Sequence, residues 1–302
     1  MNTLTVTILA SVVFAGFYVY FSRRTSDPYG TFHVPFNKVP GGPDPPQTEW
    51  LNMGFWKDTV VFPEACQALA IQLFRVADLK PGGRVLDVGH GCGDSILLQL
   101  SHPEVATPSI LCGITSLPAH HRRSWERVKS YLSSVDAPPA VLLFQGDAVW
   151  RPECQDHPLS PDFQHDFDNI LALDCAYHFN TREEFLRQSL RRLTPGGSVA
   201  LADLCFSSSP GPVLTLLLWR VLRTMPKHNI TTKEQYIQQM REIGYEDVEL
   251  EDITPFVFPG FRQFLKQRGR MGSIFSWSMS WLEGRGLRFV IVKGTRPNTR
   301  PL

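Results

Sequence analysis

Neither sign of charge prevails in this 302-residue chain: 30 Lys and Arg face 29 Asp and Glu, a formal net charge of +1. The broad electropositive surface that phosphate backbones select is therefore missing, and nucleic acid is not an expected partner. No CxxC pair occurs among Cys66, Cys92, Cys112, Cys154, Cys175 and Cys205, which removes the usual zinc spacing, and no metal site is expected. The wide cysteine separation is unlike a small disulfide scaffold and favours free thiols in a reducing compartment. There is no internal repeat. The glycine-rich stretch has neither the G-K-[ST] ending of a P-loop nor the G-x-G-x-x-G spacing of a dinucleotide turn.

Hydrophobic residues make up 43% of the chain and charged ones 20%, enough apolar material for one large α/β domain with appendages. The run Leu4 to Phe21 carries no charge and ends in aromatics, with Arg23 and Arg24 directly after it. As a helix it spans ~27 Å, close to the hydrocarbon thickness of a thin bilayer. A cleaved signal peptide would put its positive charge before the apolar run, and a buried core helix would be amphipathic. We read residues 1–24 as a single-pass, uncleaved membrane anchor. The positive-inside rule then leaves the rest of the chain in the cytosol, with the endoplasmic reticulum a candidate membrane. Residues 25–49, rich in Pro and Gly, read as an extended linker.

From residue 50 to 302, short apolar runs alternate with helical periodicity. Strands are expected at 83–89, 109–115, 140–147, 168–174, 198–206, 246–254 and 287–295, with helices at 63–79, 94–101, 120–134, 182–193 and 232–244. This alternation predicts a doubly wound, mostly parallel seven-stranded sheet. The last two strands, with no clear crossover helix between them, suit an antiparallel edge. Arg122, Arg123, Arg127 and Lys129, interleaved with Trp125 and Val128, read as the solvated face of a helix.

The strongest local signal is Asp87-Val88-Gly89-His90-Gly91-Cys92-Gly93 between a strand and a helix. Alternate glycines let a backbone turn sharply beside a ligand, and the helix beyond offers free N–H groups. His90, within the loop, reads as an exposed residue. The D-x-G-x-G-x-G spacing resembles the first motif of class I S-adenosylmethionine-dependent methyltransferases. Further motifs follow in order: Cys112-Gly113-Ile114-Thr115 after the second strand, Gln145-Gly146-Asp147-Ala148 after the third, Leu173-Asp174-Cys175-Ala176-Tyr177-His178 after the fourth, and Leu193-Thr194-Pro195-Gly196-Gly197. The resemblance covers about residues 50–295 and is nearest to the tocopherol and natural-product group. It implies a Rossmann-like fold with S-adenosyl-L-methionine as cofactor. The cofactor would be held by Asp87, Gly89, Gly91, Gly93, Thr115, Asp147, Ala148 and Asp174. Thr115 stands where many relatives place an acid for the ribose hydroxyls, which weakens that contact, and Asp147 would accept from the adenine amine.

Asn52-Met53-Gly54-Phe55-Trp56 resembles the lid segment of natural-product methyltransferases. Trp56 and Tyr177 are candidates for a cation–π contact with the sulfonium, against an ordinary core or lid role. His178, beyond the fourth strand on the ligand edge of the sheet, is the candidate general base. The apolar residues 212–222 and the aromatics from Phe256 to Trp281 point to a small, apolar acceptor or a surface leaning on lipid. A protein methyltransferase is disfavoured because no N/D-P-P-Y motif follows the fourth strand. A membrane-anchored, cofactor-binding pseudoenzyme and a NAD-binding oxidoreductase also stay open. Nothing in the sequence sets the oligomeric state.

Overall fold

The computed structural model describes residues 34–221 and 225–298. The expected anchor lies outside the described residues; among them no helix is long and apolar enough to cross a membrane. Seven strands form one sheet: β1 Arg84–Val88, β2 Ile110–Thr115, β3 Ala140–Gln145, β4 Phe167–Leu173, β5 Leu193–Phe206, β6 Glu246–Asp252 and β7 Leu287–Thr295. Their order is β3-β2-β1-β4-β5-β7-β6. β1 to β5 pair in parallel, and β7 runs antiparallel to both neighbours. The expected doubly wound, seven-stranded sheet is present, with one refinement: β7 lies inside the sheet and β6 forms the edge.

The helices are α1 Phe62–Ala77, α2 Asp94–Ser101, α3 Pro118–Leu132, α4 Arg182–Arg192, α5 Pro212–Leu216, α6 Lys233–Ile243, α7 Thr254–Lys266 and α8 Gly269–Gly284. Successive residues of each strand face opposite sides of the sheet. Val85, Leu111 and Leu171 accordingly join one core cluster, with α1 and α7, while Leu86, Cys112 and Ile170 join another, with α4 and α6. Burial on both sides is why the central strands β1, β2, β4 and β5 read as continuous apolar runs rather than alternating ones. Local chemistry sets several helix ends. Thr181 caps α4 by accepting from Glu184 N–H, and α6 opens on a Thr232–Gln235 capping box and stops at Gly244, φ +114°.

Three expectations are corrected. β5 begins at Leu193, so the Pro-Gly-Gly stretch belongs to the strand, with a register shift opposite Phe167 and Asn169. Two helices, α7 and α8, separate β6 from β7, where the sequence pattern shows no clear crossover helix. The described part of the proline-rich stretch packs against the domain: Phe36 is buried edge-on to Phe62 and Phe264, and Asn37 Oδ1 accepts from Trp50 N–H at 2.9 Å.

Candidate active site

The parallel strands end at one edge of the sheet, where β1 hands over to α2. Asp87, just before the end of β1, is 1% exposed. Its Oδ2 accepts from Gln99 Nε2 at 3.1 Å, and its Oδ1 has no partner among the described residues. Burial pushes the Asp87 carboxyl up to about 6, against the opposing hydrogen bonds of Ser95 and Gln99. The glycines that follow, Gly89, Gly91 and Gly93, all have positive φ. At Gly91, φ +56°, a Cβ would also stand 2.8 Å from Leu51 Cδ1. The loop is thus covered by the chain's own upstream segment, residues 47–56.

That segment is tied down by charge. The Asp94 carboxylate at the start of α2 accepts from Glu49 N–H at 3.1 Å and forms a bidentate pair with Arg127 at 2.7 and 2.8 Å. Arg127 also donates to Cys92 O and Gln47 O, while Arg123 pairs with Glu49 at 2.6 Å. Arg123 and Arg127 are therefore not a purely solvated face of α3, as expected; they clamp a strap across the glycine loop. His90 departs from expectation as well. It is buried, with its ring so close to Gly113 that a Cβ there would lie 2.8 Å from Cδ2. Burial, with His121 and His120 nearby, lowers its pKa to about 3 and leaves the ring neutral.

Thr115 closes β2 and is buried; its carbonyl accepts from Gly146 N–H at 3.1 Å. Asp147, just past β3, is exposed, with Oδ1 accepting from Val149 N–H at 2.9 Å and Ala148 buried behind it. The pairing of β1, β2 and β3 sets Asp87, Thr115 and Asp147 on consecutive strand ends. On the other side of β1, Asp174 follows β4 in the left-handed region, φ +56°. This conformation is uncommon outside glycine and is stored preferentially at functional sites. Its Oδ2 accepts from Met53 N–H at 2.8 Å; its Oδ1 is buried without a partner among the described residues. Burial drives this carboxyl well above the usual range, opposed by Met53 N–H and Tyr177. Cys175 Sγ then donates to Val88 O at 3.3 Å, fastening the end of β4 to that of β1.

Ala176–His178 forms a single 3-10 turn beyond β4, with the Tyr177 and His178 rings 4.1 Å apart at 45°. His178 is exposed at the rim and Tyr177 half-buried. Trp56 belongs to the strap. Its Nε1 donates to Met53 O at 2.7 Å, and its ring packs among Phe62, Phe261 and Phe264. It anchors the strap in the aromatic core.

Beneath the turn lies a network that periodicity does not reveal. Asp203 of β5 and Arg182 of α4, 0% and 1% exposed at their side chains, pair at 2.9 Å. Tyr236 Oη donates to Asp203 Oδ2 at 2.8 Å, and its ring lies 3.9 Å from the guanidinium carbon. Arg182 also donates to Asn229 through its backbone and Nη2, and Asn229 Nδ2 donates to the carbonyls of Tyr177 and Phe179. A lone acid inside the apolar strand Leu193–Phe206 is the one signal the sequence offers, since such a charge needs a partner.

A groove of about 690 Å³ runs between the strap, α2 and α3, lined by Gln47, Trp50, Arg123 and Tyr131 among others. We place the site at the strand ends instead, because open α/β sheets bind ligands there and the unpartnered carboxylate oxygens of Asp87 and Asp174 lie there.

A family model described as a methyltransferase domain matches residues 62–250. Erythromycin 3''-O-methyltransferase of Saccharopolyspora erythraea is 28% identical over 212 residues, which cover 68% of this chain and 64% of that protein. The 27-O-demethylrifamycin SV methyltransferase of Amycolatopsis mediterranei is 29% identical over 216 residues, covering 70% of this chain and 72% of the relative. Among solved structures, phosphoethanolamine N-methyltransferase 2 of Haemonchus contortus in complex with S-adenosyl-L-methionine superposes with a TM-score of 0.58 at 19% identity, over 76% of this chain and 52% of that one. With β7 inserted antiparallel between β5 and β6 and the glycine loop between β1 and α2, the chain belongs to the methyltransferase domain family and has the class I, S-adenosylmethionine-dependent fold.

Proposed function

We propose that this protein transfers the methyl group of S-adenosylmethionine to a nucleophilic atom of a small, apolar molecule at a membrane surface. The observation that carries the cofactor assignment is the pair of buried carboxylate oxygens, Asp87 Oδ1 and Asp174 Oδ1, left without partners among the described residues on either side of the glycine loop. Buried acceptors are rarely left unmatched, and a ligand carrying an ammonium and a sulfonium suits two of them. Asp87 would accept from the ammonium, Thr115 would meet the ribose and Asp147 the adenine amine. When bound, the cofactor supplies an electrophilic methyl group. Tyr177 would present its ring toward the cation. His178 would take the proton from the acceptor's N–H or O–H through a ring nitrogen, and the strap would keep water out.

Titration of the protein with S-adenosylmethionine and with NAD is the direct test, and the first should bind while the second does not. The Asp87 carboxyl sits at about 6 without ligand, and a bound ammonium favours its charged form. Affinity should therefore be full above pH 6 and decline as the pH falls through it. Asp87→Asn should remove this pH dependence and most of the affinity. It should also raise the melting temperature of the ligand-free protein near neutral pH. A folded-state value above the ordinary 3.8 penalises the native state progressively between pH 3.8 and 6, and fully above that, by about 3 kcal/mol at most. Unchanged cofactor affinity in Asp87→Asn would place the site elsewhere.

The membrane part of the reading rests on the uncharged run Leu4 to Phe21 and the arginines that follow it. Full-length protein is expected to resist carbonate extraction, with its domain open to protease added to sealed microsomes. Protease protection would reverse the orientation; release by carbonate would remove the anchor. The apolar acceptor is suggested by α5 and the turn after it, where Val213, Leu216 and Trp219 stand exposed near the ligand edge's downstream strand, β5.

A further inference from the structure

Helix α8, Gly269–Gly284, carries large apolar side chains on its outer face as well as its inner one. Inward it buries Gly272, Ser276 and Ser278 and packs the half-buried Phe275, Met279, Trp281 and Leu282 against the core. At Gly272 the approach is so close that a Cβ would meet Leu265 O at 2.0 Å. The residues it turns outward are large and apolar: Met271, Ile274 and Trp277 are 42%, 39% and 49% exposed. Arg270, Ile274 and Trp277 recur at intervals of four and three, which makes one exposed stripe that runs on to the half-buried Trp281. An ordinary surface helix presents polar residues on its outer face, because exposing aromatic area to water forgoes the burial that would stabilise it.

Its flanks are basic. Lys266, Arg268 and Arg270 stand at the start of the helix, where no acidic residue occupies the first turn, and Arg285 at its end lies 4.7 Å over the Trp281 ring. Lys266 closes α7, where a cation is favourable, and Arg268 lies over the Phe36 and Phe264 rings. Arg270 in the first turn of α8 opposes the macrodipole, so helix stability does not account for it. Glu283, the acid near this face, is already paired with Arg262 at 2.6 Å. Tryptophans on an apolar stripe with an arginine collar match the headgroup boundary of a bilayer: the rings sit at the interface and the guanidinium groups meet lipid phosphates.

We propose that the exposed face of α8 docks onto an anionic lipid bilayer and inserts Ile274 and Trp277 into its interfacial layer. This deepens the membrane reading given above and is independent of residues 4–21. It would set the catalytic domain at a fixed attitude to the bilayer that holds the acceptor.

The test uses the full-length chain with its exposed Cys154 replaced by serine and an environment-sensitive fluorophore on Ile274→Cys. The control carries the same probe on Trp125→Cys of α3, 48% exposed. In vesicles of phosphatidylcholine with phosphatidylserine, the probe at 274 should shift to the blue and be quenched by lipids spin-labelled at shallow depth, while the one at 125 should do neither. Arg270→Glu reverses one charge of the collar and should lower the docking equilibrium constant roughly thirtyfold. Trp277→Ser should lower it further without loss of fold. Unshifted emission at 274 in vesicle-bound protein would overturn the proposal, as would docking indifferent to Arg270→Glu. Carbonate release of a chain whose 274 probe still docks would eliminate the anchor alone; carbonate resistance with an unshifted 274 probe would eliminate the docking face alone.

Discussion

Arg182→Met is expected to lower the free energy of unfolding by about 3–5 kcal/mol, because it strands the buried carboxylate of Asp203 without its cation. For a domain of this size that is a fall in melting temperature of roughly 10 °C. Asp203 would keep only the Tyr236 hydroxyl at 2.8 Å, while Asn229 would lose its contact to the Arg182 guanidinium. The double variant Arg182→Met/Asp203→Leu should recover most of the stability, since replacing both charges by apolar groups of similar size is often neutral. Urea denaturation of the three proteins decides the matter. A single variant within about 1 kcal/mol of wild type would mean that the pair is solvated in the native state. Activity should fall in the single variant even at temperatures where it is folded, because Asn229 carries the Tyr177 and Phe179 carbonyls and through them the turn that presents His178.

His178→Ala carries the largest expected effect on chemistry. On the proposed role as general base, turnover should drop by roughly 10²–10⁴-fold with cofactor affinity nearly intact. An acceptor that is already nucleophilic would need positioning alone, and the loss would then be about tenfold or less. The pH dependence separates these outcomes only at saturating cofactor. Below saturation, Asp87 near 6 contributes its own decline on the acid side through binding. With the cofactor saturating, a base at 178 should give a rising acid limb in the range where imidazoles titrate, and the variant should lack it. A limb shared by both proteins would return His178 to a role in shaping the rim.

What is legible in the sequence is local. The glycine loop, the seven strands and the acids at strand ends follow from short-range spacing, and the chain keeps those spacings. What stays hidden depends on contacts distant along the chain. Arg123 and Arg127 look like a solvated face because their partners, Glu49 and Asp94, lie 74 and 33 residues away. His90 looks exposed because nothing nearby shows that Gly113, on another strand, leaves room for its ring. Helices α7 and α8 are hard to see because Pro255, Pro259, Gly260, Gly269 and Gly272 break the helical pattern. Packing of Phe258, Phe261 and Phe264 into the core outweighs those local penalties. The neighbours of Trp56 in sequence point to a lid, yet its ring is held by α1 and α7.

The insertion of β7 between β5 and β6 bears on how the molecule is made. As the chain leaves the ribosome, β5 and β6 emerge with an empty lane between them, and the strand that fills it ends at Thr295. Until then both strands offer unpaired backbone groups along the missing contact, the kind of edge that invites wrong pairing. The sheet therefore closes only once β7 has emerged, and from the end of β5 until then the nascent domain holds an open template in need of shielding.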